Sequence, residues 1–100
     1  MRVIFTHLAV RDLEEIGDYI VRDNPRRALS FILELPQQCD RIAEAPQAYS
    51  CRPALGAGLR SCAQGKYVIF FREDRDGVGI VRILHSAMDI EARFAEPRSP

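Results

Sequence analysis

Residues 67–85 read YVIFFREDRDGVGIVRILH. Two apolar runs flank a charged loop that ends in Asp76-Gly77, a hairpin signal, although the loop is longer than a two-residue turn. Tyr67 to Arg72 is apolar on both sides of the pleat, as a strand covered on both faces and central in its sheet should be. Val78 to His85 makes the second strand. Alternation places Val81, Ile83 and His85 on one face, and Val78, Ile80, Arg82 and Leu84 on the other. Arg82 then stands between two apolar neighbours, and a charge in that setting needs a partner. Asp89 or a C-terminal carboxylate would serve internally; an acidic group on another molecule would serve equally well. His85, at the strand end, is either a contact group or a side chain hydrogen-bonded to the backbone near Ser86.

Upstream, Leu59 to Ala63 reads as a further strand, turned into Tyr67 by Gln64-Gly65. Residues 47–57 carry two more turn signals, Arg52-Pro53 and Gly56, and read as a loop. Before them the period changes from two to that of a helix. Ala9, Leu13, Ile16 and Ile20 form one stripe over residues 8–22, with Arg11, Asp12, Glu14, Glu15 and Asp18 on the other faces. Thr6 is placed to cap that helix after a short strand, RVIFT, at 2–6. Asn24-Pro25 ends one helix and opens the next, with Asn24 as N-cap and Pro25 at the first helical position. Ala28, Phe31, Ile32, Leu35, Cys39, Ile42 and Ala43 make the second stripe, so the two helices form an antiparallel hairpin. Pro36 removes a backbone donor and crowds the carbonyl of Ile32, which predicts a kink or short break. Ala45-Pro46 ends the helix. Met88 to Phe94 has room for one or two helical turns that close the sheet edge. The expected fold is α+β, β-α-α-β-β-β, with the hairpin on one face of a mostly antiparallel four-stranded sheet and a short C-terminal helix. Residues 1–96 form one domain in this reading, and 97–100 a frayed tail.

The 100 residues balance 14 basic against 14 acidic side chains, which argues against a general polyanion-binding coat. The balance is uneven along the chain: residues 1–45 hold six basic and eight acidic groups, residues 46–82 six and three. Lys66 is the only lysine, and arginine's planar fork suits carboxylate and phosphate. No run approaches the roughly 18–20 apolar residues of a membrane span. Cys39, Cys51 and Cys62 lack metal-site spacing and fit reduced thiols in the cytoplasm, so neither a metal nor another cofactor is expected.

Taken in order, DLEEIGDYIVRDNP, ALSFI, RIAEAPQAY, GLR, GKYVIFFR and VRILHSAMDI resemble the ParE branch of the ParE/RelE toxin superfamily. The resemblance spans residues 5–94 and implies the toxin half of a bacterial toxin–antitoxin pair. RelE-like members cut mRNA on the ribosome, which requires cations around the scissile phosphate and groups that move protons. Their pattern resembles R-x-G-x-Y-R, where this chain has Ala63-Gln64-Gly65-Lys66-Tyr67-Val68. Their C-terminal pattern resembles H-R-x-x-x-Y, where this chain has His85-Ser86-Ala87-Met88-Asp89-Ile90. Tyr67 and His85 are kept, while the arginines and the second tyrosine are absent. Losing one charge stabiliser commonly costs about 10²–10³ in rate, so no catalytic residue is assigned.

ParE-like members inhibit DNA gyrase by binding it, and the resemblance implies that activity here. Arg60, Arg72 and Arg82 are then candidates for a cationic strip facing gyrase or its cleaved DNA, with His85 and Met88 beside it. No sequence-specific nucleic-acid binding and no membrane association are implied. A ParD-like antitoxin is the second implied partner, docking by an amphipathic helix or an added strand. Tyr19, Phe31, Leu35 and Tyr49 are candidates for that contact, with core packing the simpler role for Phe31 and Leu35. The alternatives are a RelE-like endonuclease and an inactive member kept for antitoxin-linked repression.

Overall fold

The computed structural model describes residues 2–95; the expected tail at 97–100 lies outside them. The elements in order are β1 (Arg2–Phe5), α1 (His7–Asp23), α2 (Pro25–Glu44), a 3₁₀ turn (Pro46–Ala48), β2 (Ser50–Cys51), β3 (Leu59–Gln64), β4 (Tyr67–Glu73), β5 (Gly77–His85) and α3 (Ile90–Ala95). The sheet has five strands in the order β1-β5-β4-β3-β2, one more than expected. The extra strand is a two-residue pairing, Ser50 with Ser61 and Cys51 with Arg60, inside the stretch read as loop. All neighbours are antiparallel except β1 and β5, which run parallel.

Local chemistry accounts for the helices. The Thr6 hydroxyl accepts from the Ala9 amide, and Asn24 Oδ1 accepts from the Arg27 amide, satisfying N–H groups that a helix start leaves orphaned. Pro36 does not break α2, which is continuous from Pro25 to Glu44. Pro36 and Ile32 are both exposed, so water can solvate the carbonyl that loses its donor. At the hairpin before β5, a Cβ on Gly77 would collide with the Arg2 carbonyl oxygen. Only glycine lets β1 come that close.

The helices cover one face of the sheet. Ala9, Ile16, Phe31, Leu35, Cys39 and Ile42 pack there against Tyr67, Ile69, Phe71, Val78, Ile80 and Ile83. The opposite face holds a smaller cluster, Leu59, Phe70 and Leu84, with Leu55, Ile90 and Phe94 laid over it. A β-bulge corrects the expected alternation of β5. Phe70 pairs with Arg82 and Phe71 with Ile80, leaving Val81 as the extra residue. Parity inverts there: Val78, Ile80 and Ile83 share the helix-covered face, while Val81 and Leu84 join the other cluster.

Candidate functional site

Because β1 stops at Phe5, opposite Ile80, no strand among the described residues lies on the outer side of the last five residues of β5. α1 closes this edge instead. The Thr6 hydroxyl donates to the Val81 carbonyl at 2.8 Å. Asp12 takes three hydrogen bonds: from Arg82 Nε at 2.8 Å, from Arg82 Nη2 at 3.0 Å and from the Ile83 amide at 2.9 Å. The side chains of Arg82 and Asp12 are only 14% and 7% exposed. This is a buried, bidentate ion pair, the arrangement in which arginine's geometry counts most. Asp12, expected on an outer face of α1, therefore belongs to the buried one. Asp89, offered as an internal partner for Arg82, instead accepts from the Ala92 amide within α3.

Beside this pair opens a cleft of about 440 Å³, bounded by α1, the end of β5 and the segment leading into α3. Ile16 and Tyr67 form its floor, Tyr19 and Met88 its walls, and Glu15, His85 and Arg93 complete the lining. The Tyr67 ring meets His85 edge-on at 5.2 Å and Phe31 at 5.3 Å. Burial, with Tyr19 nearby, pushes the Tyr67 hydroxyl pKa up, and Arg27 opposes this. The Ala87 amide donates to His85 Nδ1 at 3.0 Å. A neutral His85 therefore carries its proton on Nε2 and offers the cleft a donor, not a base. Two arginines, Arg82 and Arg93, line the cleft with this imidazole, and two carboxylates, Asp12 and Glu15, balance them.

The expected cationic strip does not form. Arg60 lies across from Phe71 and Arg72 across from Leu59, so the two stand over opposite faces of the sheet, and Arg82 is held at the open edge of β5. Arg60 Nη1 donates to the Tyr49 carbonyl at 2.7 Å, and Arg72 Nε to the Ala57 carbonyl at 3.0 Å. Of the other candidates, Tyr19 is 63% and Met88 40% exposed, and both line the cleft with His85. Phe31 and Leu35, at 2% and 4% exposed, offer a partner no surface and are core residues. Tyr49 is half-buried with its ring edge-on to Phe71. Tyr19, His85 and Met88, assigned to different partners from the sequence, thus converge on one cleft. Sequence reasoning missed Asp12, Glu15 and Arg93 there. Asp12 did leave a signal: it lies three residues after Ala9 and four before Ile16, on the buried stripe itself. Among the described residues no cluster of three His, Cys, Asp or Glu side chains is placed to hold a metal ion. Burial raises the pKa of both core thiols, Cys39 to about 11, which disfavours the reactive thiolate.

The family profile described as the ParE toxin of type II toxin–antitoxin systems, parDE, matches residues 3–90. The chain belongs to the ParE toxin family. Toxin ParE1 of Caulobacter vibrioides is 35% identical to this ParE-family chain over 87 residues, which are 86% of this chain and 90% of that one. Y4kP of Sinorhizobium fredii is 34% identical over 87 residues, 85% of this chain and 88% of its own. A solved structure titled as the chromosomal ParDE system of P. aeruginosa shares the fold, with a TM-score of 0.71 at 24% identity over 85% of this chain and 95% of that chain. The protein is thus a ParE toxin of a type II toxin–antitoxin system, and no helix among its described residues is long and apolar enough to cross a membrane.

Proposed function

We propose that this toxin inhibits DNA gyrase in the cytoplasm by docking, without breaking bonds itself, and that a ParD-like antitoxin neutralises it. The observation that carries the docking reading is the Asp12–Arg82 pair. The best-placed guanidinium near His85 already has its fork filled by a carboxylate. A scissile phosphate entering the cleft would have to compete with that bond in a site whose two arginines face two carboxylates. His85, with Nδ1 already accepting, lacks the free lone pair that a general base needs. A protein surface makes lesser demands: apolar walls at Tyr19 and Met88, and an Nε2 donor at His85.

The second reading, a RelE-like ribonuclease, draws on the same cleft, because Tyr67, His85 and two arginines do meet there. Purified toxin incubated with gyrase and plasmid DNA, in parallel with a translation extract, separates the two. Accumulated cleaved DNA with intact mRNA is the expected outcome. Codon-phased mRNA breaks with normal supercoiling would put the ribonuclease first, and neither effect would leave an inactive copy. For the antitoxin, a short ribbon-helix-helix protein with an acidic tail encoded next to the toxin should bind it and restore gyrase activity.

A further inference from the structure

α2 carries more apolar surface than the sheet consumes. Its core stripe is Ala28, Phe31, Leu35, Cys39 and Ile42. Outside that stripe, Leu29, Ile32 and Leu33 are 60%, 58% and 62% exposed, which places them among the most exposed large apolar side chains described. Arg26, Leu29, Leu33, Pro36 and Asp40 follow one another at alternating steps of three and four residues. At roughly 100° per residue these five fall within an arc of about 80°. That is the spacing of a seam along which two helices pack.

The seam is also symmetric. Arg26 and Asp40 each lie seven residues from Leu33, and their charges are opposite. If a second α2 lies antiparallel across the first with Leu33 at the centre, each Arg26 comes beside Asp40 of the other copy, and the leucines fill the middle. A parallel arrangement would set Arg26 against Arg26. Neither Arg26 nor Asp40 has an ion-pair partner among the described residues. An interface that pairs a patch with itself is what two-fold symmetry requires. We infer that the outer face of α2 is a homodimer seam, in which two copies of this chain pair antiparallel about Leu33. No residue of α2 lines the His85 cleft, so the seam uses none of the cleft's side chains. A contact built mainly from one helix per copy falls at the small end of specific interfaces, and the dimer should be weak, on the order of micromolar.

Sedimentation equilibrium of the purified 100-residue chain, over a concentration series of about 1–200 µM chosen to bracket that affinity, tests the seam. The expected result is a shift from the 11.3 kDa chain to twice that mass as concentration rises. Leu33→Glu should weaken association at least tenfold, as should Arg26→Asp alone or Asp40→Arg alone. The double variant carrying both charge changes should recover most of the loss. All three positions are exposed, and circular dichroism of each variant should match the parent. A monomer at every concentration would overturn the inference, as would a dimer indifferent to Leu33→Glu or a double variant no better than its singles. If the parent stays monomeric while Leu33→Glu abolishes capture by an amphipathic antitoxin helix, the face belongs to that helix and the homodimer is excluded.

Discussion

The two faces of the sheet are held in different ways. One lies under helices of 17 and 20 residues and contributes the larger apolar cluster. The other is roofed by the loop around Leu55 and by α3, which is six residues long. Helices that short have little stability of their own, so α3 stays in place by what it touches, chiefly Phe94 edge-on to Phe70 at 4.9 Å. The helix-covered face should therefore open only with the whole fold, whereas the lighter cover should lift without dismantling the core. The cleft lies where the two regimes meet, with Ile16 and Tyr67 from the helix-covered core and Met88 and Arg93 from the lighter side.

Substitutions on either side measure the contrast. Phe71→Ala, on the helix-covered face and fully buried, should cost about 3–5 kcal/mol in chemical denaturation. Asp12→Ala should cost about the same, roughly 3–5 kcal/mol, because it strands a buried guanidinium and the Ile83 amide together. Replacing both members, Asp12→Leu with Arg82→Leu, should recover most of that and leave about 1–3 kcal/mol for the amide that keeps no partner. If the double variant is as poor as the single, the charge pair is not the source of the loss. Phe94→Ala, on the lighter side, should cost only about 1–2 kcal/mol, since α3 can fray, and should raise amide exchange in α3 while α1 stays protected. A global rise in exchange would erase the distinction between the faces. Gly17→Ala should stabilise α1 by about 0.5–1 kcal/mol, as a Cβ there meets nothing within 4 Å. A separate contrast concerns pH. Cys39 is shifted from 9.0 to about 11 in the fold, with burial the first cause. Its protonated form is favoured in the folded state, so its contribution is complete below pH 9 and declines as the pH rises toward 11. Thermal midpoints should fall over that window, and less so in Cys39→Ala.

What the sequence made legible follows from how strongly each feature constrains its own neighbours. Thr6 and Asn24 are caps because their side chains answer an adjacent backbone, and both function as read. β4 is central because nothing polar interrupts Val68 to Phe71. The bulge was not legible: one extra residue at Val81 inverts the parity of β5 without altering its composition, and for that reason Leu84 was grouped with Ile80, and Ile83 with Val81. β2 was missed because two residues carry no period. Pro36 predicted a break that solvent exposure makes unnecessary. At the cleft, Tyr19, His85 and Met88 were visible as chemistry-bearing residues, but their convergence depends on where β1 ends relative to β5. The cationic strip failed for the opposite reason, since similar side chains at plausible spacing were placed on different faces by strand register.

β1 has one neighbour in the sheet, and it is the last strand to be made. The Arg2 amide donates to the Asp76 carbonyl, and Asp12 grips a residue 71 positions further on. During synthesis β1 therefore waits unpaired, and the Asp12 carboxylate without its guanidinium, until β5 has left the ribosome. Folding dominated by such distant contacts is slow and exposes apolar surface while it proceeds. For this protein the emergence of β5 and the closing of the sheet should be almost the same event.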